Sequence, residues 1–116
     1  LIPITVKRYC FALDLQPDPE SIRAYEKHHE AVWPEILQTF EQAGISAMEI
    51  YRIEERLFMI MDTEDHFSLE EKAFHDAQNP FVQKWESLMW EYQVALPTAK
   101  PNEKWVLMRP IFHWKA

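Results

Sequence analysis

Tyr25, His29 and Trp33 stand four residues apart in the stretch Tyr25–Glu35. On a helix that spacing stacks the three side chains on one face, and Ile22, Ile36 and Phe40 fall on it too. A face that should be buried therefore carries a phenol and an imidazole. Both need hydrogen-bond partners once they leave water. Two readings are open at this point: the protein satisfies the pair internally, or the pair is offered to a ligand. A histidine that titrates near neutral pH beside a phenol suits proton transfer. His28 points about 100° away from His29 on the same helix and reads as solvent-facing.

Other chemistries find less support. There is no nucleophile elbow and no evident Ser-His-Asp set. A chain with a single glycine, Gly44, can hardly build a Gly-rich phosphate loop. Cys10 is the only cysteine, which excludes an intrachain disulfide, and no Cys/His cluster has zinc-ligand spacing. Cys10 reads as a small core filler. Met59 and Met61 resemble a soft-metal box, but nothing supplies the remaining ligands, so they read as core.

The elements that must position these residues fit one domain spanning residues 1–116, with 47% hydrophobic and 27% charged residues. The net charge of -7 argues against nucleic acid and leaves a neutral substrate such as a sugar open. Aromatic residues reach 14%, five of them Trp, which hints at a pocket. Leu1–Ile4 lacks the features of a signal peptide, and no apolar run approaches spanning length. The expectation is a cytoplasmic protein with neither nucleic acid nor membrane as a partner.

Residues 4–15 alternate as a central strand, with Tyr9, Phe11, Leu13 and Leu15 on one face and Val6, Arg8, Cys10 and Ala12 on the other. Arg8 reads as a surface ion pair rather than a ligand contact. Asp18 as N-cap and Pro19 at the first turn open a helix that should run to Ala43, kinked at Pro34, with Gly44 ending it. The kink should free the Glu30 carbonyl. Two separate helices are the less favoured alternative, because Trp33 is a poor cap. Residues 45–53 and 57–62 form a hairpin around Glu54-Glu55-Arg56. Ser68 caps a helix over 69–77, and a second helix covers 80–93. Residues 104–109 begin a last strand that Pro110 interrupts, and the aromatic tail Ile111–Trp114 should pack on its own domain or on a second subunit. Strand, helix, strand, strand, helices, strand is an α+β, ferredoxin-like split βαβ order, with an antiparallel sheet and helices on one face. A homodimer packing two sheets together would cover the other face.

Tyr25-x-x-x-His29-x-x-x-Trp33-Pro34-Glu35 resembles the helix signature of the L-rhamnose mutarotase family. The likeness extends along most of the chain. Ile50-Tyr51 with Leu57-Phe58 is similar to the family's central hairpin, Gln83-Lys84-Trp85 with Met89 to its Q-[RK]-W-x-x-x-M segment, and Met108 with Ile111-Phe112-His113 to its closing strand. The resemblance implies a dimeric α+β barrel, free of cofactors, that interconverts the α and β anomers of a 6-deoxy sugar. It implies His29 as the acid/base residue, Tyr25 as a sugar contact and Trp85 as the first of a tryptophan pair. This chain departs from the enteric members at two positions of the sugar-binding set. Met48 replaces a second tyrosine and Glu86 the second tryptophan. L-Rhamnose, L-fucose and other deoxy sugars therefore stay open as substrates. Trp33 is a further candidate to cover a sugar face, and Glu86 a candidate second acid/base by its chemistry alone. The alternatives are a small-molecule-binding module and a cofactor-free monooxygenase of the same superfamily.

Overall fold

The computed structural model describes residues 6–116. Ile4 and Thr5, with which the first strand was expected to begin, lie outside the described residues. Strand β1 spans Val6–Leu15, helix α1 Pro19–His28, helix α2 Pro34–Ala43, strand β2 Ile45–Ile53 and strand β3 Arg56–Glu64. Helices α3 (Leu69–Gln78) and α4 (Pro80–Trp90) follow, then the short strands β4 (Gln93–Val94) and β5 (Val106–Leu107).

The sheet order is β2-β3-β1-β4, and β5 also pairs with β1. Every pairing is antiparallel. This is the split-βαβ topology that the element order implied. β1 is central, as its two partly apolar faces required. Phe11, Leu13 and Leu15 on one face are buried with Leu57, Met59 and Met61 of β3, so both methionines are core. On the other face Cys10 and Ala12 of β1 and Phe58 and Ile60 of β3 are half-buried. Arg8 pairs across the strands with Asp62, its guanidinium meeting both carboxylate oxygens at 2.7 and 3.0 Å. That is the surface ion pair expected of it.

The long kinked helix is not found; the less favoured reading, two helices, is the correct one. α1 closes in one 3₁₀ turn over His29–Ala31, and Val32 and Trp33 are extended at φ -61°, ψ 138° and φ -57°, ψ 136°. A proline ring crowds the residue before it and pushes that residue out of the helical region. Pro34 then takes the first turn of α2, where its missing N–H is no loss. Trp33 makes no side-chain capping bond, so the backbone constraint overrides its poor capping chemistry. Asp18 and Ser68 cap α1 and α3 as expected, and Gly44 ends α2 at φ 89°.

α4 stops at Trp90 rather than at residue 93, because Gln93 and Val94 leave the helix to pair with Leu15 and Asp14 of β1. The last strand is also shorter than expected. Only Val106 and Leu107 pair with β1, extended by the Met108 N–H donating to the Cys10 carbonyl at 2.7 Å. The aromatic tail does not fold back on its own domain: Ile111, Phe112 and Trp114 are 89%, 84% and 73% exposed.

Candidate active site

A cleft of about 1050 Å³ opens between the helices and the inner face of the sheet, at the upper end of the range of roughly 300–1,000 Å³ for small-molecule sites. Tyr25, His29, Met48, Trp85 and Glu86 all line it. Elements far apart in sequence thus bring together every candidate catalytic or sugar-contacting residue except Trp33. Trp33 does not line the cleft but packs edge-on against Trp85, centroids 5.0 Å apart.

The end of α1 sets the histidine. In an unbroken α-helix the main-chain N–H of His29 would bond the Tyr25 carbonyl. Here it turns to Glu26 as the helix tightens. The freed Tyr25 carbonyl accepts instead from the imidazole Nδ1–H at 2.8 Å. A carbonyl can only accept, so this bond fixes the tautomer and leaves Nε2 with a lone pair. The carbonyl put to use is therefore that of Tyr25, not of Glu30 as the kink suggested. The imidazole stands 4.5 Å from the Tyr25 ring and 5.7 Å from the Trp85 ring, which meets it edge-on. Burial among these rings is the main cause that lowers the His29 pKa from 6.5, against the opposing bond to the Tyr25 carbonyl and with a small contribution from neighbouring His28. At neutral pH His29 is thus an unprotonated base.

Tyr25 is 3% exposed, and its hydroxyl accepts from the buried Gln93 Nε2 at 3.1 Å. Burial pushes the phenol up to about 12, which the Gln93 bond partly offsets and the Glu86 charge reinforces. Tyr25 is therefore a neutral donor. Its oxygen already accepts from Gln93, so its own proton is free for another acceptor. His28, expected to face solvent, is half-buried, its Nε2 3.3 Å from the Tyr92 hydroxyl.

Met48, half-buried and paired across the sheet with Met61, lines the cleft from β2, and Glu86 lines it from α4. Glu86 forms an ion pair with Lys104, which sequence reasoning did not single out. Desolvation lowers the Lys104 pKa from 10.5, opposed by the Glu86 carboxylate. Gln93 was also missed. Its only sequence signal was a polar residue at the end of an apolar helical pattern. Among the described residues, no group of three His, Cys, Asp or Glu side chains is placed to hold a metal ion. Nor, among them, is any helix long and apolar enough to cross a membrane.

A family model described as L-rhamnose mutarotase matches residues 8–114. An L-fucose mutarotase from Xanthomonas campestris pv. campestris is 42% identical over 104 residues, covering 88% of this chain and 83% of the relative. An L-rhamnose mutarotase from Jannaschia sp. is 32% identical over 111 residues, 93% of this chain and 98% of the relative. Among solved structures, the L-rhamnose mutarotase FA22100 from Formosa agariphila superposes with a TM-score of 0.69 at 21% identity, covering 94% of this chain and 99% of the other, a likeness of fold. With the match running from the start of β1 to the aromatic tail, the chain belongs to the L-rhamnose mutarotase family.

Proposed function

We propose that this protein is an isomerase that interconverts the α and β anomers of a 6-deoxy sugar, with L-fucose and L-rhamnose as the substrates to compare first. The observation that carries the reading is the His29 imidazole, held by Nδ1 on the Tyr25 carbonyl so that an unprotonated Nε2 is left beside a neutral phenol in a cleft. Mutarotation needs just this chemistry. A proton leaves the anomeric hydroxyl, the C1–O5 bond breaks to give an aldehyde, and the ring oxygen gains a proton. C1 then rotates and the ring closes on its other face.

In this reading Nε2 of His29 takes the anomeric proton and, as the imidazolium, passes it to the ring oxygen as the C1–O5 bond breaks, and closing on the other face runs the two transfers in reverse. Tyr25 donates its hydroxyl proton in a hydrogen bond to the ring oxygen or to a neighbouring hydroxyl. Trp85 covers an apolar sugar face, including the C6 methyl. Met48 and Glu86 form the wall that selects the sugar. The 42% identity to an L-fucose mutarotase favours L-fucose over L-rhamnose. A cytoplasmic homodimer belongs to the same proposal.

One positioned acid/base group accounts for about 10²–10⁴ in rate. His29→Ala should remove the acceleration of anomer exchange seen by magnetisation-transfer NMR while the circular dichroism spectrum is retained. Exchange that persists at the wild-type rate would sink the assignment. Saturable sugar binding without exchange in the wild type would mark a binding module instead.

A further inference from the structure

We propose that Lys104 is a positioning residue that fixes Glu86 as a sugar-hydroxyl acceptor, and so sets which sugar the cleft prefers. The inference rests on the functional reading above. Lys104 lies in the segment between β4 and β5, and its side chain is 10% exposed while that of Glu86 is 43% exposed. Its ammonium donates to Glu86 Oε2, lies 3.4 Å from the Glu86 main-chain carbonyl, and sits 4.7 Å above the centre of the Trp90 ring. Those three neighbours hold the ammonium against α4 at the rim of the cleft that Lys104 also lines.

One carboxylate oxygen of Glu86 is held by Lys104, and Oε1 makes no hydrogen bond among the described residues. Glu86 lines the cleft next to Trp85. Glu86 and Trp90 are one helical turn apart, so they form a shelf on α4 onto which Lys104 is laid, while Trp85 and Met89 of the same helix are buried in the core. The segment that carries Lys104 is itself pinned. The Lys100 N–H donates to Glu103 Oε1 at 2.9 Å, and the Glu103 N–H returns to the Lys100 carbonyl at 2.9 Å. A glutamate without this clamp would rotate freely into water. With it, the free oxygen keeps one position, at no further entropic loss when a ligand arrives. A carboxylate there favours sugars that present hydroxyl donors to this wall and disfavours those that present a methyl or an anion.

Two readouts test this. Titration of ¹³C-labelled L-fucose and L-rhamnose by NMR gives Kd, and magnetisation transfer between the anomeric signals gives the exchange rate and its kcat and KM. Lys104→Met should weaken binding of the preferred sugar about tenfold, the scale of one hydrogen bond to a charged group, with kcat close to wild type. Lys104→Arg should restore most of that affinity. In a Glu86→Gln background, Lys104→Met should change nothing further. An unchanged Kd in Lys104→Met, or a loss of equal size in the Glu86→Gln background, overturns the inference. If Lys104→Met folds poorly, Glu86→Gln decides, because it keeps the shape and an oxygen for Lys104 while removing the carboxylate, with circular dichroism checking the fold; unchanged binding and sugar preference there overturn the inference too. Lys104-dependent binding without anomer exchange rejects the enzymatic reading alone, and exchange with Lys104-independent binding rejects this inference alone.

Discussion

At the scale of single residues, one bond decides the chemistry. The Tyr25 carbonyl holds His29 as its Nδ1–H tautomer, and burial keeps the ring neutral below its ordinary value of 6.5. The acid limb of the exchange rate should therefore lie below pH 6.5 and should be lost in His29→Ala. The same depression links to stability. Between the lowered folded pKa and 6.5, the unfolded chain binds a proton that the folded chain refuses. The contribution of His29 is thus fully present above 6.5 and declines as pH falls below it. Chemical denaturation across this range should show that slope in the wild type and a weaker one in His29→Ala. Tyr25 supports a second prediction. Tyr25→Phe removes the free proton and leaves the Gln93 amide, already without a partner for its Oε1, buried with none for its Nε2. Stability should fall by about 1–3 kcal/mol in urea unfolding. Exchange should fall by more than that loss of folded protein accounts for.

At the scale of elements, the sequence was informative where a period repeats. The alternation of Tyr9, Phe11, Leu13 and Leu15 follows one face of β1, whereas the run Leu57–Met61 is apolar at every position and marks a covered strand without choosing its face. The caps Asp18 and Ser68 act through bonds to residues three positions on, Ser21 and Glu71, so they too could be read locally. Where the outcome depended on distant partners, the sequence was silent. A two-residue strand such as Gln93-Val94 has no period, and only the edge of β1 makes it a strand. Lys104 and Glu86 lie 18 positions apart, and Gln93 and Tyr25 lie 68 apart. At Trp33 the steric constraint from Pro34 breaks the helix even though the side chain offers no cap, so capping chemistry alone does not locate the break. Gly44, the left-handed end of α2, provides a test at a junction whose signal is local. A β-carbon there would stand 3.2 Å from Glu64 Oε2, on a backbone at φ +89° that L side chains rarely adopt. Gly44→Ala should cost about 1–2 kcal/mol, visible as a lower Tm, with anomer exchange unchanged at temperatures where the protein is folded.

At the scale of the whole molecule, one protomer leaves its apolar surface unfinished. Cys10, Ala12, Phe58 and Ile60 make up a half-buried outer sheet face, and the tail holds Ile111, Phe112 and Trp114 out into solvent. Apolar groups contiguous in sequence and this exposed are worth burying, at roughly 25 cal/mol per Å². A second copy is the simplest cover, since a two-fold axis lets each outer face meet its equivalent and each tail reach across to the other subunit. The proposed homodimer should then sediment at twice the 14.0 kDa of one chain. Its stability should be concentration-dependent, because folding and association are linked. A Phe112→Asp, Trp114→Ser double variant should shift the sedimentation equilibrium toward the monomer. The cleft lies on the opposite side of the sheet from the outer face, with Tyr25, His29, Trp85 and Glu86 all from one chain. Monomeric variant protein should therefore retain measurable anomer exchange with a lower Tm. A wild-type monomer at micromolar concentration would overturn the dimer, and complete loss of exchange in a folded monomeric variant would show that the second subunit reaches the site.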